Sequence, residues 1–142
     1  MIYLDTSVLI SALTREADTA TTQDFLSHQD PEDLVISDWV VSEFSSALAI
    51  KLRTGQLNLD HRAAALSAFA GLVAETLLVL PVPRAAFHTA ARFADQAALN
   101  LRAGDALHLA ICAEHGANLC TLDRRLADAA PLLGVPVRNP AS

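Results

Sequence analysis

Short apolar runs alternate with longer amphipathic stretches along the chain, and this alternation predicts strands threaded between helices. Met1–Leu4 is apolar up to Asp5, the pattern of a buried first strand. Val8–Leu13 has helical character, with Asp5 as the last strand residue and Thr6 or Ser7 as the helix cap. Ala17–His28 reads as a second, more polar helix, and Asp30-Pro31-Glu32-Asp33 as a turn. Leu34–Ser37 is the second strand. Asp38 is placed to cap a helix over Trp39–Arg53, whose apolar stripe is Val40, Phe44, Ala47 and Leu48 and whose stop is Gly55. Asn58 or Asp60 caps a helix that runs to about Glu75, and Leu77–Val82 reads as a buried third strand ended by Pro83. Arg84–Ala98 is a helix with Arg84, Arg92 and Asp95 toward solvent. The stretch Leu101–Ala113, LRAGDALHLAICA, is a loop feeding an almost wholly apolar helix, Ala103–His115, closed by Gly116. Leu119–Leu122 is a fourth strand ending at Asp123, Arg124–Ala129 a short helix, and Val135–Arg138 an edge strand.

Strands separated by helical crossovers imply a parallel sheet covered on both faces. The expected fold is α/β, a three-layer α/β/α sandwich around a small central sheet, in one domain over residues 1–142. Sheets of this kind place their sites beyond the carboxyl ends of the strands. Four carboxylates fall there: Asp5 and Asp123 at strand ends, Asp105 at the mouth of the apolar helix, and Glu43 one turn inside the helix after strand two. Taken singly, each has an ordinary explanation. Asp105 suits an N-cap, and Glu43 suits a boundary residue paired with a base.

Together they point to chemistry. Four carboxylates within a few ångströms repel one another, burial worsens this, and raised pKa values or bound cations are the usual compensations. A ligand set made only of oxygen favours Mg²⁺ or Mn²⁺ over zinc. Such an ion can activate water and offset the charge that builds on a phosphodiester. Thr6, Ser7 and Thr121 could orient water or a phosphate oxygen, and equally serve as cap and strand hydroxyls. His108 follows Asp105 by one helical turn, but its apolar surroundings favour a hydrogen-bonded core histidine.

Composition narrows the field. The 142 residues are 52% apolar and 18% charged, which gives a globular chain with a real core. No apolar run approaches the length of a membrane span. The N-terminal MIYLDTS lacks a basic n-region and an apolar leader core, so a cytoplasmic protein is expected. Cys112 and Cys120 form neither a disulfide framework nor a metal pattern and read as small buried hydrophobes. The net charge of −6 argues against a simple phosphate-neutralising surface, yet it suits an acidic site that meets phosphates through cations. Among only five glycines there is no phosphate-cradling loop, and Ser7 stands where a haloacid-dehalogenase-like phosphatase needs a second Asp.

The blocks YLDTSVLI, SEF within a helix, LRAGDALHLAIC and LCTLDRRL, in that order, resemble a PIN domain, and specifically a VapC-type toxin ribonuclease of bacterial toxin–antitoxin systems. The resemblance spans essentially the whole chain. It implies an Mg²⁺- or Mn²⁺-dependent endoribonuclease with Asp5, Glu43 and Asp105 as the main catalytic and metal-ligand set and Asp123 completing it. It further implies single-stranded or loop RNA as substrate, often in tRNA or ribosomal RNA, cut to leave a 5′-phosphate and a 3′-hydroxyl. A cognate antitoxin as partner and a homodimer are implied as well. Arg102, Arg124 and Arg125 are the nearest cations for holding RNA. The contrasting reading is a non-catalytic protein- or RNA-binding domain, in which the four carboxylates serve as caps and ion-pair members.

Overall fold

Ile2, Tyr3 and Leu4 form β1, and all three side chains are buried because the strand lies in the middle of the sheet. In the computed structural model, which describes residues 1–142, β1 is flanked by β2 (Leu34–Ser37) and β4 (Asn118–Cys120). The edges are β3 (Leu78–Leu80) and β5 (Val137–Arg138), giving the order β3–β2–β1–β4–β5. Every neighbouring pair is parallel. Ile2 faces Leu34 on one side and Asn118 on the other, and Leu4 faces Cys120. Parallel neighbours need crossovers. These are α1 (Thr6–Leu13), α2 (Thr19–Ser27), α3 (Asp38–Arg53), α4 (Leu59–Glu75), α5 (Arg84–Ala94), α6 (Ala103–His115) and α7 (Arg124–Leu132). The result is the expected α/β/α sandwich.

The core joins β1, β2 and β4 to the apolar faces of the helices. Ala106–Cys112 of α6 is buried without a break, as its composition predicts. Phe44 of α3 stacks on Phe69 of α4, with ring centroids 4.3 Å apart, and Val40 and Leu48 complete the same stripe. Cys112 and Cys120 are buried free thiols, held far in the protonated form by desolvation. No helix is long and apolar enough to cross a membrane.

Several boundaries differ from the sequence reading. Asp5 itself is the cap of α1, in place of Thr6 or Ser7, because β1 ends at Leu4 and the chain turns at once. Ser37 holds the cap position of α3, and Asp38 is its first helical residue. β4 stops at Cys120, and after the Thr121 N–H makes a last bond to the Arg138 carbonyl of β5, Leu122 and Asp123 leave the sheet. β3 is an edge strand rather than a buried one: Leu78 is 57% exposed. The helix expected over Arg84–Ala98 ends at Ala94, followed by a 3-10 turn at Ala97–Leu99 and a left-handed Asn100. That break lifts the chain toward the start of α6.

Candidate active site

The carboxyl ends of β1 and β4 meet in the middle of the sheet, and there the chain stitches two turns together through one carboxylate. The Asp5 backbone N–H still donates to the Cys120 carbonyl, at 3.2 Å, before α1 begins. Oδ1 of Asp5 then accepts from the Val8 N–H (3.3 Å) and the Ser7 hydroxyl (2.6 Å), while Oδ2 accepts from the Thr121 hydroxyl (2.5 Å). The same two hydroxyls accept backbone N–H bonds from the β4–α7 turn. Ser7 Oγ takes that of Leu122 and Thr121 Oγ1 that of Asp123, both at 3.0 Å. Asp5 is only 3% exposed. Burial pushes its carboxyl above the usual range, although the charge of His108 and the two hydroxyl bonds oppose that.

Glu43 arrives from the second turn of α3. Its Oε1 accepts from the Thr6 hydroxyl (2.6 Å) and from His108 Nε2 (2.5 Å). Burial acts to raise this carboxyl, but the bond and charge of His108, helped by Thr6, outweigh it and hold Glu43 below its ordinary value. His108 is buried, with Nδ1 2.8 Å from the Tyr3 hydroxyl, which lies 2.8 Å from Ser37 Oγ. The chain Ser37–Tyr3–His108–Glu43 thus runs from the core to the sheet edge. Facing an ionised glutamate, Nε2 carries the proton. Burial keeps the Tyr3 phenol protonated.

Asp105 is the third residue of α6, not its cap. Its Oδ2 accepts the Arg102 backbone N–H at 3.3 Å, closing the first turn of the helix. It is half-buried, and burial raises its carboxyl, with the Asp123 charge adding to the rise and His108 and Arg125 opposing it. Asp123 is exposed and caps α7, with Oδ1 accepting from the Arg125 N–H (2.9 Å) and the Leu126 N–H (3.3 Å). Asp5, Glu43 and Asp105 all lie near enough to His108 that a proton on its ring would favour their ionised forms. The Asp123 carboxylate acts on Asp105 through its charge, and its backbone N–H is linked to Asp5 through the Thr121 hydroxyl. No three His, Cys, Asp or Glu side chains are close enough, as the side chains stand, to hold a metal ion. The donors are nonetheless all carboxylate oxygens, the chemistry of a hard cation, and a cation beside Asp5 and Asp105 would relieve the burial that raises them.

His108 is the hydrogen-bonded, buried histidine the sequence suggests, and it also joins the carboxylates. Tyr3 and Ser37 were invisible as site residues, yet a phenol in a three-residue buried strand demands a polar partner, which is a usable signal. Two clefts flank the group. Arg102, Arg124, Arg125, Asp123 and Asn100 border one of about 640 Å³. Trp39, Phe87 and small residues of α5 and α6 line an apolar one of about 300 Å³. Gly104 separates Glu43 from the apolar cleft. A Cβ there would stand 3.2 Å from Glu43 Oε2 and 3.4 Å from Trp39 Cζ2.

The structure is similar to FitAcB from Neisseria gonorrhoeae (TM-score 0.72, 22% identity, 99% of this chain and 98% of that one). It is similar also to VapC20 of Mycobacterium tuberculosis, a Sarcin-Ricin loop cleaving toxin (TM-score 0.73, 19% identity, 91% and 95% covered). A third is VapBC2 from Rickettsia felis bound to a DNA fragment from its promoter (TM-score 0.67, 17% identity, 98% of each chain). At these identities the likeness speaks for the fold. No curated protein matches the chain by sequence. The PIN domain family matches residues 2–132, nearly the whole length, and the chain belongs to the PIN domain family.

Proposed function

We propose that this chain is a divalent-metal-dependent endoribonuclease, the toxin of a toxin–antitoxin pair acting in the cytoplasm. Asp5, Glu43, Asp105 and Asp123 are its catalytic and metal-holding residues. The observation that carries the reading is the gathering of Asp5, Glu43 and Asp105 around His108 at the carboxyl edge of the sheet, the place where open parallel sheets carry their chemistry. Fold neighbours that include a toxin and a toxin–antitoxin complex support it, as does the family match.

Mg²⁺ or Mn²⁺ held by these carboxylates would supply Lewis acidity, acidifying water and offsetting charge on the phosphodiester. The protein's own part is positioning. Ser7 and Thr121 fix both oxygens of Asp5, Thr6 and His108 fix Glu43, and Tyr3 fixes the His108 ring. His108 holds the Glu43 carboxyl below its ordinary value where burial raises those of Asp5 and Asp105. Hydrolysis breaks the P–O3′ bond, with the water oxygen going to phosphorus and a proton to O3′. Cognate antitoxin binding and a homodimer belong to the same reading. The rival reading, a non-catalytic binding domain, draws on how fully hydroxyl and backbone donors already satisfy Asp5.

The test is to incubate purified protein with total bacterial RNA in Mg²⁺, Mn²⁺ or EDTA and to map new 5′-phosphate ends, with Asp105→Asn alongside. Discrete cuts that need both the metal and Asp105 are expected. Cuts that survive EDTA or the Asn variant would remove these residues from the chemistry.

A further inference from the structure

The two clefts beside the carboxylates are opposite in character, and the first turn of α6 is the wall between them. Arg102, just before α6, borders the polar cleft with Arg124 and Arg125, three cations that outnumber the carboxylates of Asp123 and Asp128 on the same wall. Two residues on, Gly104 lines the apolar cleft with Trp39, Phe87, Ala90, Ala94 and Leu107. A Cβ on Gly104 would meet both Glu43 Oε2 and Trp39, so the apolar cleft lies just across Gly104 from Glu43. Phe87, at its rim, leaves 54% of its surface to water.

We infer that the Trp39–Phe87 cleft seats one unstacked base of a single-stranded RNA whose phosphates run along the arginine side. This rests on the ribonuclease reading. Anions on one side and a flat apolar ring on the other, a short step apart, is the repeat of a polynucleotide. Single strands are held by cationic grooves combined with aromatic platforms. The cleft is at the small end of small-molecule pockets, a size for one ring system rather than a peptide helix. Its alanine walls carry no donor or acceptor, and the one polar group among its lining side chains is the Trp39 indole N–H, buried without a partner, so shape and stacking dominate selection of the occupant. The chain's net negative charge leaves little general attraction for RNA, which makes a local apolar anchor useful.

The test reads binding apart from cleavage. In the Asp105→Asn background with Mg²⁺, a fluorescent short single-stranded oligoribonucleotide is titrated by anisotropy. Phe87→Ala, which removes a wall, and Ala91→Leu, which fills the cleft from an exposed position, are each expected to weaken binding about tenfold. An oligonucleotide with an abasic site at the seated position should bind all three proteins alike. Arg124→Ala should weaken intact and abasic RNA equally and flatten the salt dependence by about one unit of slope. Equal binding by the background protein and both cleft variants overturns the inference while the cleavage test of the unmodified chain still decides the reading. Loss of self-association in sedimentation by Phe87→Ala, with RNA affinity intact, assigns the face to a second copy and overturns it too. Absence of RNA binding by the background protein, with no cleavage by the unmodified chain, removes both.

Discussion

Asp5 and Asp123 do the same local work in unlike surroundings. Each caps the helix that leaves a central parallel strand, and each does so with Oδ1 alone. Asp123 stays in water, and its cap needs nothing more. Asp5 is sealed in, and Oδ2 receives a hydroxyl from the opposite turn. The contrast separates what a cap requires from what it does not. Burial of Asp5 works against the charge that makes it a good cap, so the extra hydroxyls and the nearby histidine compensate for a placement that folding alone would not favour. A carboxylate held in this way against desolvation marks a functional site better than its sequence position does.

Asp5→Asn gives the largest expected effect and breaks the comparison most directly. Cleavage should fall by about a thousandfold or more. Stability should move the other way. The folded carboxyl sits above its unfolded value, so the wild type loses stability as pH rises through that elevated pKa, and an uncharged amide escapes the loss. In EDTA at neutral pH the variant should melt higher, by about 3 °C per kcal/mol recovered, and its advantage should vanish in acid. Added Mn²⁺ should raise the melting temperature of the wild type only. An Asn variant that melts lower at every pH would mean that Asp5 is a structural cap like Asp123.

Thr121→Val comes next, because Thr121 joins the two caps. The change keeps shape while stripping Asp5 Oδ2 of its donor and the Asp123 N–H of its acceptor. A loss of about 2 kcal/mol in urea unfolding is expected, with cleavage down by tenfold or more and rescue by Thr121→Ser. A neutral result would detach Asp5 from the β4–α7 turn. Asp123→Asn should do less. Asn caps as well as Asp, so stability should hold within about 0.5 kcal/mol. Removing the like charge lowers the Asp105 carboxyl, and the acid limb of the cleavage profile should shift to lower pH. Loss of stability equal to that of Asp123→Ala would show that the charge, not the cap, is what α7 uses.

What the sequence revealed follows the same division. Strand ends in a parallel sheet share an edge by geometry, so Asp5, Glu43 and Asp105 were legible as neighbours without any contact being known. The bonds that orient them were not. Whether Ser7 and Thr121 cap helices or hold Asp5 depends on where β1 and β4 stop, and a shift of one or two residues decides it. Leu78 read as buried because its apolar neighbours resemble those of Ile36, yet only pairing order makes β3 an edge and β2 interior. Tyr3 looked like one more apolar strand residue. Its hydroxyl acquires meaning from His108, 105 positions away.

Gly104→Ala is the smallest change and tests whether Glu43 belongs with Asp5 or with Asp123. Within a helix, alanine is worth up to about 1 kcal/mol over glycine, which favours the variant. Against this, the new Cβ stands 3.2 Å from Glu43 Oε2 and 3.4 Å from Trp39, tighter than ordinary contact. Glu43 cannot simply swing clear, because Thr6 and His108 hold its other oxygen. The crowding must therefore be absorbed by a rotation about that pinned oxygen, moving Oε2 by a few tenths of an ångström. We expect the melting temperature to stay within about 2 °C of wild type, since helix gain and crowding nearly cancel. The turnover number should fall about fivefold, because sub-ångström placement matters where charges are positioned for reaction. Unchanged turnover with a lowered melting point would make Glu43 a boundary residue tolerant of displacement, in the manner of the exposed Asp123.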